Sequence, residues 1–290
     1  MIIKFITRLS RPLSISLITL LTFSLGDLIS SNKANATNWT KYNQVNERCY
    51  QNRLKGNYEK AIDFCSQAIK IYPRSTDAFF NRGFANEELD NANEAISDYE
   101  RSIELDTGKG NQWAYNNLSL LYAYEENYEK AIKFINLAIK MNPKDGQFIN
   151  NRGWIYLESE NFKQAEKDYQ NAEILYLKNK RTRTYADCPK NKNLVHCMLD
   201  SNFYNDLGWA QENLSDYTGA IKNYSKAISI NFPKEDDHYI YFSNRANAKL
   251  ELGDKEGSCS DYKTSASMGN QEISKWLKSW DGRWCRKMKT

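Results

Sequence analysis

A stretch of this chain comes back. NYEKAIDFCSQAIKIYP at 57–73 returns as NYEKAIKFINLAIKMNP at 127–143, and NRGFANEELDNANEAISDYERSIEL at 81–105 returns as NRGWIYLESENFKQAEKDYQNAEIL at 151–175. Six units of 34 residues align, at 42–75, 76–109, 112–145, 146–179, 201–234 and 239–272. Each reads as two amphipathic helices. In the second helix of the first unit Ala61, Ile62, Cys65, Ala68, Ile69 and Tyr72 fall at helical spacing. One such hairpin cannot bury its apolar face alone, so the units must stack on one another. With only 13 Gly and 5 Pro and with 41% hydrophobic residues, the chain is neither disordered nor of low complexity.

Three columns of the alignment hold only small residues. Position 8 is Cys49, Gly83, Ser119, Gly153, Gly208 and Ala246; position 20 is Ala61, Ala95, Ala131, Ala165, Ala220 and Ser258; position 27 is Ala68, Ser102, Ala138, Ala172, Ala227 and Ser265. Position 16 is always Asn or Asp (Asn57, Asn91, Asn127, Asn161, Asp216, Asp254), which predicts an N-cap for each second helix. Pro73 and Pro143 close two units at position 32. This pattern resembles the tetratricopeptide repeat (TPR). The resemblance implies an all-α fold, a right-handed superhelical solenoid of six helix hairpins, to which the apolar stripe Ile273, Trp276, Leu277 and Trp280 adds a C-terminal capping helix. The domains read as a signal peptide (1–36), a lead-in (37–41), repeats 1–4 (42–179), a Cys-containing basic insertion (180–200), repeats 5–6 (201–272) and a cap (273–290).

In such repeats the first helices line a concave groove through positions 2, 5, 9, 12 and 13. The candidate partner-binding residues are therefore Asn46, Tyr50, Phe80, Phe84, Trp113, Asn116, Asn150, Trp154, Asn205 and Trp209. The groove lacks the Lys/Asn/Arg set with which some TPR domains clamp a terminal carboxylate, and Arg53 is its main cation. A ladder of Asn can bond the backbone of an extended peptide while Trp and Phe supply anchors. The expected function is a non-catalytic scaffold or assembly factor that binds a protein or peptide. A glycan or peptidoglycan-stem module is the alternative, with Glu87, Glu88, Glu158 and Glu212 beside the aromatics. A third reading has the position-9 aromatics packing between repeats.

Repeats 2, 4 and 6 pair Arg at position 7 with Asp at position 23: Arg82 with Asp98, Arg152 with Asp168, Arg245 with Asp261. These read as structural bridges between the helices of a hairpin. The six cysteines suggest three disulfides. In the TPR register Cys49 and Cys65 face each other inside repeat 1, Cys188 and Cys197 share the insertion, and the tail returns Cys285 to Cys259. Cys188, His196 and Cys197 match no zinc spacing, so neither metal nor cofactor is expected.

The N-terminus carries Lys4, Arg8 and Arg11, an uncharged apolar run from Leu13 to Leu25, and Ala34-Asn35-Ala36. That order is a cleavable secretory signal, with an uncleaved anchor as the alternative. It predicts export to the periplasm or a thylakoid lumen, with no stable membrane insertion after cleavage. Cleavage leaves 36 basic and 35 acidic residues, a body with no general footprint for nucleic acid. GNQEISKWLKSWDGRWCR at the tail, with the repeats, looks like exported TPR proteins of photosynthetic bacteria. Both ends look capped, which favours a monomer. The basic residues of the insertion form either a binding loop or a solvated surface. No phosphate loop, nucleophile elbow or helical metal motif is present, so no catalytic residue is expected.

Overall fold

The computed structural model describes residues 37–106, 111–178, 200–230 and 238–288. The signal 1–36, the cysteines Cys188 and Cys197 and nearly all of the basic insertion lie outside them. Fourteen helices and no strand occur among the described residues. They are α1 (37–54), α2 (Tyr58–Ile71), α3 (Thr76–Glu87), α4 (Ala92–Leu105), α5 (Gln112–Tyr124), α6 (Tyr128–Met141), α7 (Gly146–Glu158) and α8 (Phe162–Lys178). There follow α9 (Ser201–Asn213), α10 (Tyr217–Ser229), α11 (Tyr239–Glu251), α12 (Lys255–Ser267), α13 (Gln271–Lys278) and α14 (Arg283–Lys287). The expected lead-in at 37–41 is helical and opens α1.

Among the described residues two compact units form, one within 37–106 and one within 111–288. The first contains hairpins α1/α2 and α3/α4. The second contains α5/α6, α7/α8, α9/α10 and α11/α12, then α13 and α14.

Each hairpin turn is built alike. The residue at position 15 is left-handed in all six: Gly56, Asp90, Glu126, Glu160, Ser215 and Gly253, with φ from 57° to 80°. The next N–H then bonds back to position 11, as in Asn57 N to Asn52 O (2.9 Å) and Asn161 N to Tyr156 O (2.7 Å). This is the Schellman closure of a helix C-terminus, and it needs one left-handed residue. Only two of the six are glycine, so composition hides the turn while the repeat register reveals it.

The position-16 caps are only partly as expected. Asn127, Asp216 and Asp254 accept from the backbone N–H three residues on. Asn57 and Asn91 do not cap with their side chains. Their amides donate to Asn52 and Asn86 across the turn instead (3.4 and 3.5 Å). A neighbouring amide at position 11 competes for the same side chain.

The small columns are where helices touch. Every residue at positions 8, 20 and 27 is buried. Position 8 faces position 24 across the hairpin. A Cβ on Gly208 would stand 2.8 Å from the Tyr224 ring, and one on Gly83 would stand 3.0 Å from Tyr99. Tyr99, Tyr169 and Tyr224 are all at most 1% exposed. Repeat 1 fills the same two positions with the Cys49–Cys65 disulfide (Cα–Cα 4.9 Å). The bridge thus takes the place of the Gly–Tyr contact of the second, fourth and fifth hairpins. Closing such a loop stabilises by roughly 3 kcal/mol.

The three Arg–Asp pairs form as double hydrogen bonds. Arg82 reaches Asp98 at 2.8 and 2.7 Å, Arg152 reaches Asp168 at 2.6 and 2.8 Å, and Arg245 reaches Asp261 at 2.8 and 2.7 Å. The third arm of each guanidinium goes further than the sequence pattern indicates. It bonds position 25 in the second helix of the preceding hairpin: Ser66 (3.0 Å), Asn136 (2.7 Å) and Ser225 (3.0 Å). Each Arg therefore clasps two hairpins, 1 to 2, 3 to 4 and 5 to 6. The aspartates are nearly buried, at 4%, 3% and 4% exposure. A pair this deep is not an exposed surface bridge, and removing one partner strands the other without water.

The cap departs from expectation in detail. Asn270 caps α13 by accepting from Ile273 N–H (3.1 Å), and Ile273, Trp276 and Leu277 pack on Ala246, Cys259, Tyr262 and Cys285. Trp280 does not extend this stripe. The helix ends at Lys278 and Trp280 is 80% exposed. The chain then turns into α14, and Cys285 closes on Cys259 (Cα–Cα 5.2 Å). Arg286 donates to the free carbonyls of Leu277 and Lys278 (3.0 and 2.8 Å), which ends α13.

Candidate functional site

In the first unit the first helices α1 and α3 bring together Asn46, Tyr50, Arg53, Phe80 and Phe84. Asn46, Tyr50 and Arg53 lie at i, i+4 and i+7 of α1, on one face. Tyr50 is 39% exposed. Phe80 leans on Tyr99 (5.7 Å) and Phe84 on Tyr58 (6.5 Å). The Arg53 guanidinium stacks over the rings of Tyr50 (5.3 Å) and Phe84 (4.8 Å). Two buried polar atoms of this face have no hydrogen-bond partner, Asn46 Oδ1 and Arg53 Nε. Such atoms are rare in a folded chain.

In the second unit the aromatic side chains are graded. Trp113 packs on the fully buried Phe148 (4.9 Å). Trp154 sits half-buried against Tyr124 (5.1 Å), which is itself 72% exposed. Trp209 is 41% exposed beside Phe162 (6.2 Å). The reading that these rings pack between repeats thus fits Trp113 best and Trp209 least.

The amides do not behave as a uniform ladder facing outward. Asn116 is 2% exposed, and its Oδ1 accepts from Asn151 of the next hairpin (2.8 Å). Asn205 does the same with Asn244 (2.9 Å). Asn116 is therefore a cross-link between hairpins and not a groove amide. The donors come from position 6, a column that sequence reasoning missed, although the alignment shows it as Asn81, Asn117, Asn151 and Asn244. At one junction the donor is absent. Position 6 of repeat 5 is Asp206, and the acceptor it would serve, Asn150 Oδ1, is buried without a partner. Asp206 accepts from the Tyr169 hydroxyl (3.3 Å) and weakly from Asn205 (3.4 Å). Burial pushes its carboxyl up to about 7.

Two of the four acidic side chains near the aromatics are already engaged. Glu87 accepts from the Tyr99 hydroxyl (2.5 Å) and Glu212 from Tyr224 (2.6 Å). Burial raises both carboxyls above the ordinary range. Among the described residues no group of three or more His, Cys, Asp or Glu could hold a metal ion, and no helix is long and apolar enough to cross a membrane.

Comparison with known proteins bears on the fold. Residues 76–108, 114–145 and 201–233 match one tetratricopeptide-repeat family description and residues 48–75 match another. Hsp70-Hsp90 organizing protein 3 of Arabidopsis thaliana is 29% identical over 109 residues, which are 34% of this chain and 19% of that protein. The pilF protein of Pseudomonas aeruginosa superposes with a TM-score of 0.62 at 14% identity, covering 83% of this chain and 99% of that one. YrrB, described as a TPR protein with an unusual peptide-binding site, superposes with a TM-score of 0.56 at 15% identity, covering 74% and 97%. At these identities the structures speak for the fold alone. Residues 48–75, 76–108, 114–145 and 201–233 are thus similar to tetratricopeptide repeats, and the described helix pairs have the fold of such repeats.

Proposed function

We propose that the chain is a non-catalytic scaffold that binds an extended segment of a protein partner along the first-helix faces of its repeats. The tetratricopeptide repeat is in general a protein-interaction module without catalysis of its own, and the Arabidopsis relative is by name an organizing protein. The observation that carries the reading is exposed aromatic surface on the first helices: Tyr50, Tyr124 and Trp209 are 39%, 72% and 41% exposed. Side chains of an extended peptide supply apolar surface for such rings. A sugar would need carboxylates or amides beside the rings, and two of the four carboxylates there, Glu87 and Glu212, already accept from tyrosines of their own hairpins. That favours a peptide over a glycan. Of the ten expected binding residues Asn116 and Asn205 drop out, because both bond across hairpin junctions, and Arg53 joins.

Export to an oxidising compartment, periplasm or thylakoid lumen, is part of the same proposal. Both described cysteine pairs are bonded, and the basic, apolar, Ala-Asn-Ala order of the N-terminus supports it. The body is proposed to act as a monomer.

The test is affinity co-purification of residues 37–290 from the source cell extract, beside a Phe84→Ala/Trp154→Ala/Trp209→Ala variant of unchanged helicity. A protein retained by the parent and lost by the variant is the expected result. Equal recovery from both would remove these faces as the binding site.

A further inference from the structure

We propose that the C-terminal cap is a docking surface for an anionic lipid bilayer, with Trp280 set into the lipid–water interface and four unpaired cations facing the headgroups. The proposal goes beyond the peptide reading and does not rest on it. Charge sets the segment apart first. Residues 271–290 hold six basic and two acidic residues, whereas residues 37–270 hold 30 and 33. A basic cap thus sits on a weakly acidic body. Lys275, Lys278, Arg283 and Lys287 are all exposed, and none of their side chains has an ion pair or hydrogen bond among the described residues. Lys275 and Lys278 share the side of α13 opposite Ile273, Trp276 and Leu277, which pack inward. Arg283 and Lys287 share one side of α14 at i, i+4.

Trp280 stands at the turn from α13 to α14, between these two pairs in sequence. It is 80% exposed, more than any other large apolar side chain described. The turn that presents it is fixed on both sides. The Ser279 N–H bonds back to the carbonyls of Lys275 and Trp276 (3.1 and 2.9 Å). Gly282 is buried against α13, where a Cβ would collide with the Trp276 carbonyl. Arg286 ties α14 to the last carbonyls of α13, and the Cys259–Cys285 bridge ties it to α12. Trp276 and Trp284 are half-buried and lean on each other (6.1 Å). Trp280 is the indole of the cap that the fold leaves outside.

One protruding indole among unpaired cations suits a bilayer better than a protein. A protein anchor is ringed by other apolar contacts that exclude water. Among residues 271–288 no other large apolar side chain is exposed. A lipid–water interface asks for no matching shape. It takes a single amphipathic ring whose apolar body enters the lipid and whose N–H stays with the headgroups. The charge is complementary, since each Lys or Arg near an anionic leaflet strengthens attachment about fivefold. One ring and a few cations give a reversible, peripheral attachment and no span.

The experiment is co-sedimentation with vesicles of phosphatidylcholine alone and of phosphatidylcholine with about a third phosphatidylglycerol. Residues 37–290 are used, because they contain every described helix and because the apolar run from Leu13 to Leu25 would itself enter lipid. Binding to the anionic vesicles and none to the neutral ones is expected. Lys278→Gln/Arg283→Gln should weaken it on the order of twentyfold, and Trp280→Ala on the order of tenfold. These side chains are exposed, so helicity and the Cys259–Cys285 bridge should be unchanged in both variants. No binding, equal binding to neutral vesicles, or binding that survives either variant would overturn the proposal. Loss in the charge variant alone, with soluble polyglutamate displacing the vesicles, would assign the surface to an acidic protein instead. Loss only when the basic residues of the insertion are replaced by Gln would move the lipid contact out of the cap and reject it there. The Phe84→Ala/Trp154→Ala/Trp209→Ala variant should bind vesicles like the parent, so failure of the groove reading and failure of this one are told apart.

Discussion

Asp206 stands where a hydrogen-bond donor is wanted. At the same position of repeats 4 and 6, Asn151 and Asn244 donate to Asn116 and Asn205 of the hairpins before them. Asp206 cannot do this when ionised, and Asn150 Oδ1 is left buried and alone. The cost shows in its acidity. Burial moves the carboxyl from 3.8 up to about 7. The folded chain therefore holds a proton that the unfolded chain releases between these two values. Its stabilising share is complete below about pH 4, declines as pH rises to about 7, and is gone above that. Three units correspond to a ceiling of about 4 kcal/mol. The side chain keeps some contact with water, so about 2 kcal/mol is the working expectation. Asp206→Asn removes the titration, keeps an acceptor for Tyr169 and adds an N–H for Asn150. Urea unfolding of variant and parent at pH 5 and pH 8 tests it. The titration should contribute a gain of about 0.8 kcal/mol at pH 5 and about 2 kcal/mol at pH 8. A difference that is the same at both values would refute the reasoning, because a titrating carboxyl must make it pH-dependent.

Other consequences follow from the packing. Gly208→Ala would push a Cβ to 2.8 Å from Tyr224 and should cost about 1–3 kcal/mol, whereas Gly153→Ala meets Tyr169 at 3.5 Å and should be neutral or gain up to about 1 kcal/mol of helix propensity; thermal melts separate the two. Arg152→Ala strands the nearly buried Asp168 and should destabilise by about 3 kcal/mol, with much of that recovered in Arg152→Met/Asp168→Leu, read by chemical denaturation. Reduction of native material should lower the melting temperature, and Cys49→Ala/Cys65→Ala should reproduce about 3 kcal/mol of the loss; native protein with four free thiols at these positions would contradict both bridges.

Much of the site is legible in the amino-acid order because helix geometry fixes what faces what within one hairpin. The register alone pairs Cys49 with Cys65 and Arg152 with Asp168. It also places Tyr50, Phe84 and Trp209 on first-helix faces. What the register cannot decide lies between hairpins. Whether an amide points to solvent or to the next hairpin depends on how closely two units pack and on which rotamer that leaves open. Asn116 and Asn150 share repeat position 5, yet one is bonded across the junction to Asn151 and the other, opposite Asp206, is orphaned, while Asn46 is orphaned with Asn81 at the opposite position.

The same division runs through the whole chain. Periodicity sets the number of repeats, the small residues where helices meet, the alternation of Arg–Asp pairs and the cysteine pairing of repeat 1, and periodicity is written in the residues themselves. Packing in three dimensions sets the rest. Each arginine also holds the preceding hairpin, Trp280 leaves the cap stripe, and Arg53 lies between two rings with no partner among the described residues. Those features depend on contacts between elements that are not periodic, where distance, burial and competing hydrogen bonds decide and spacing along the chain does not.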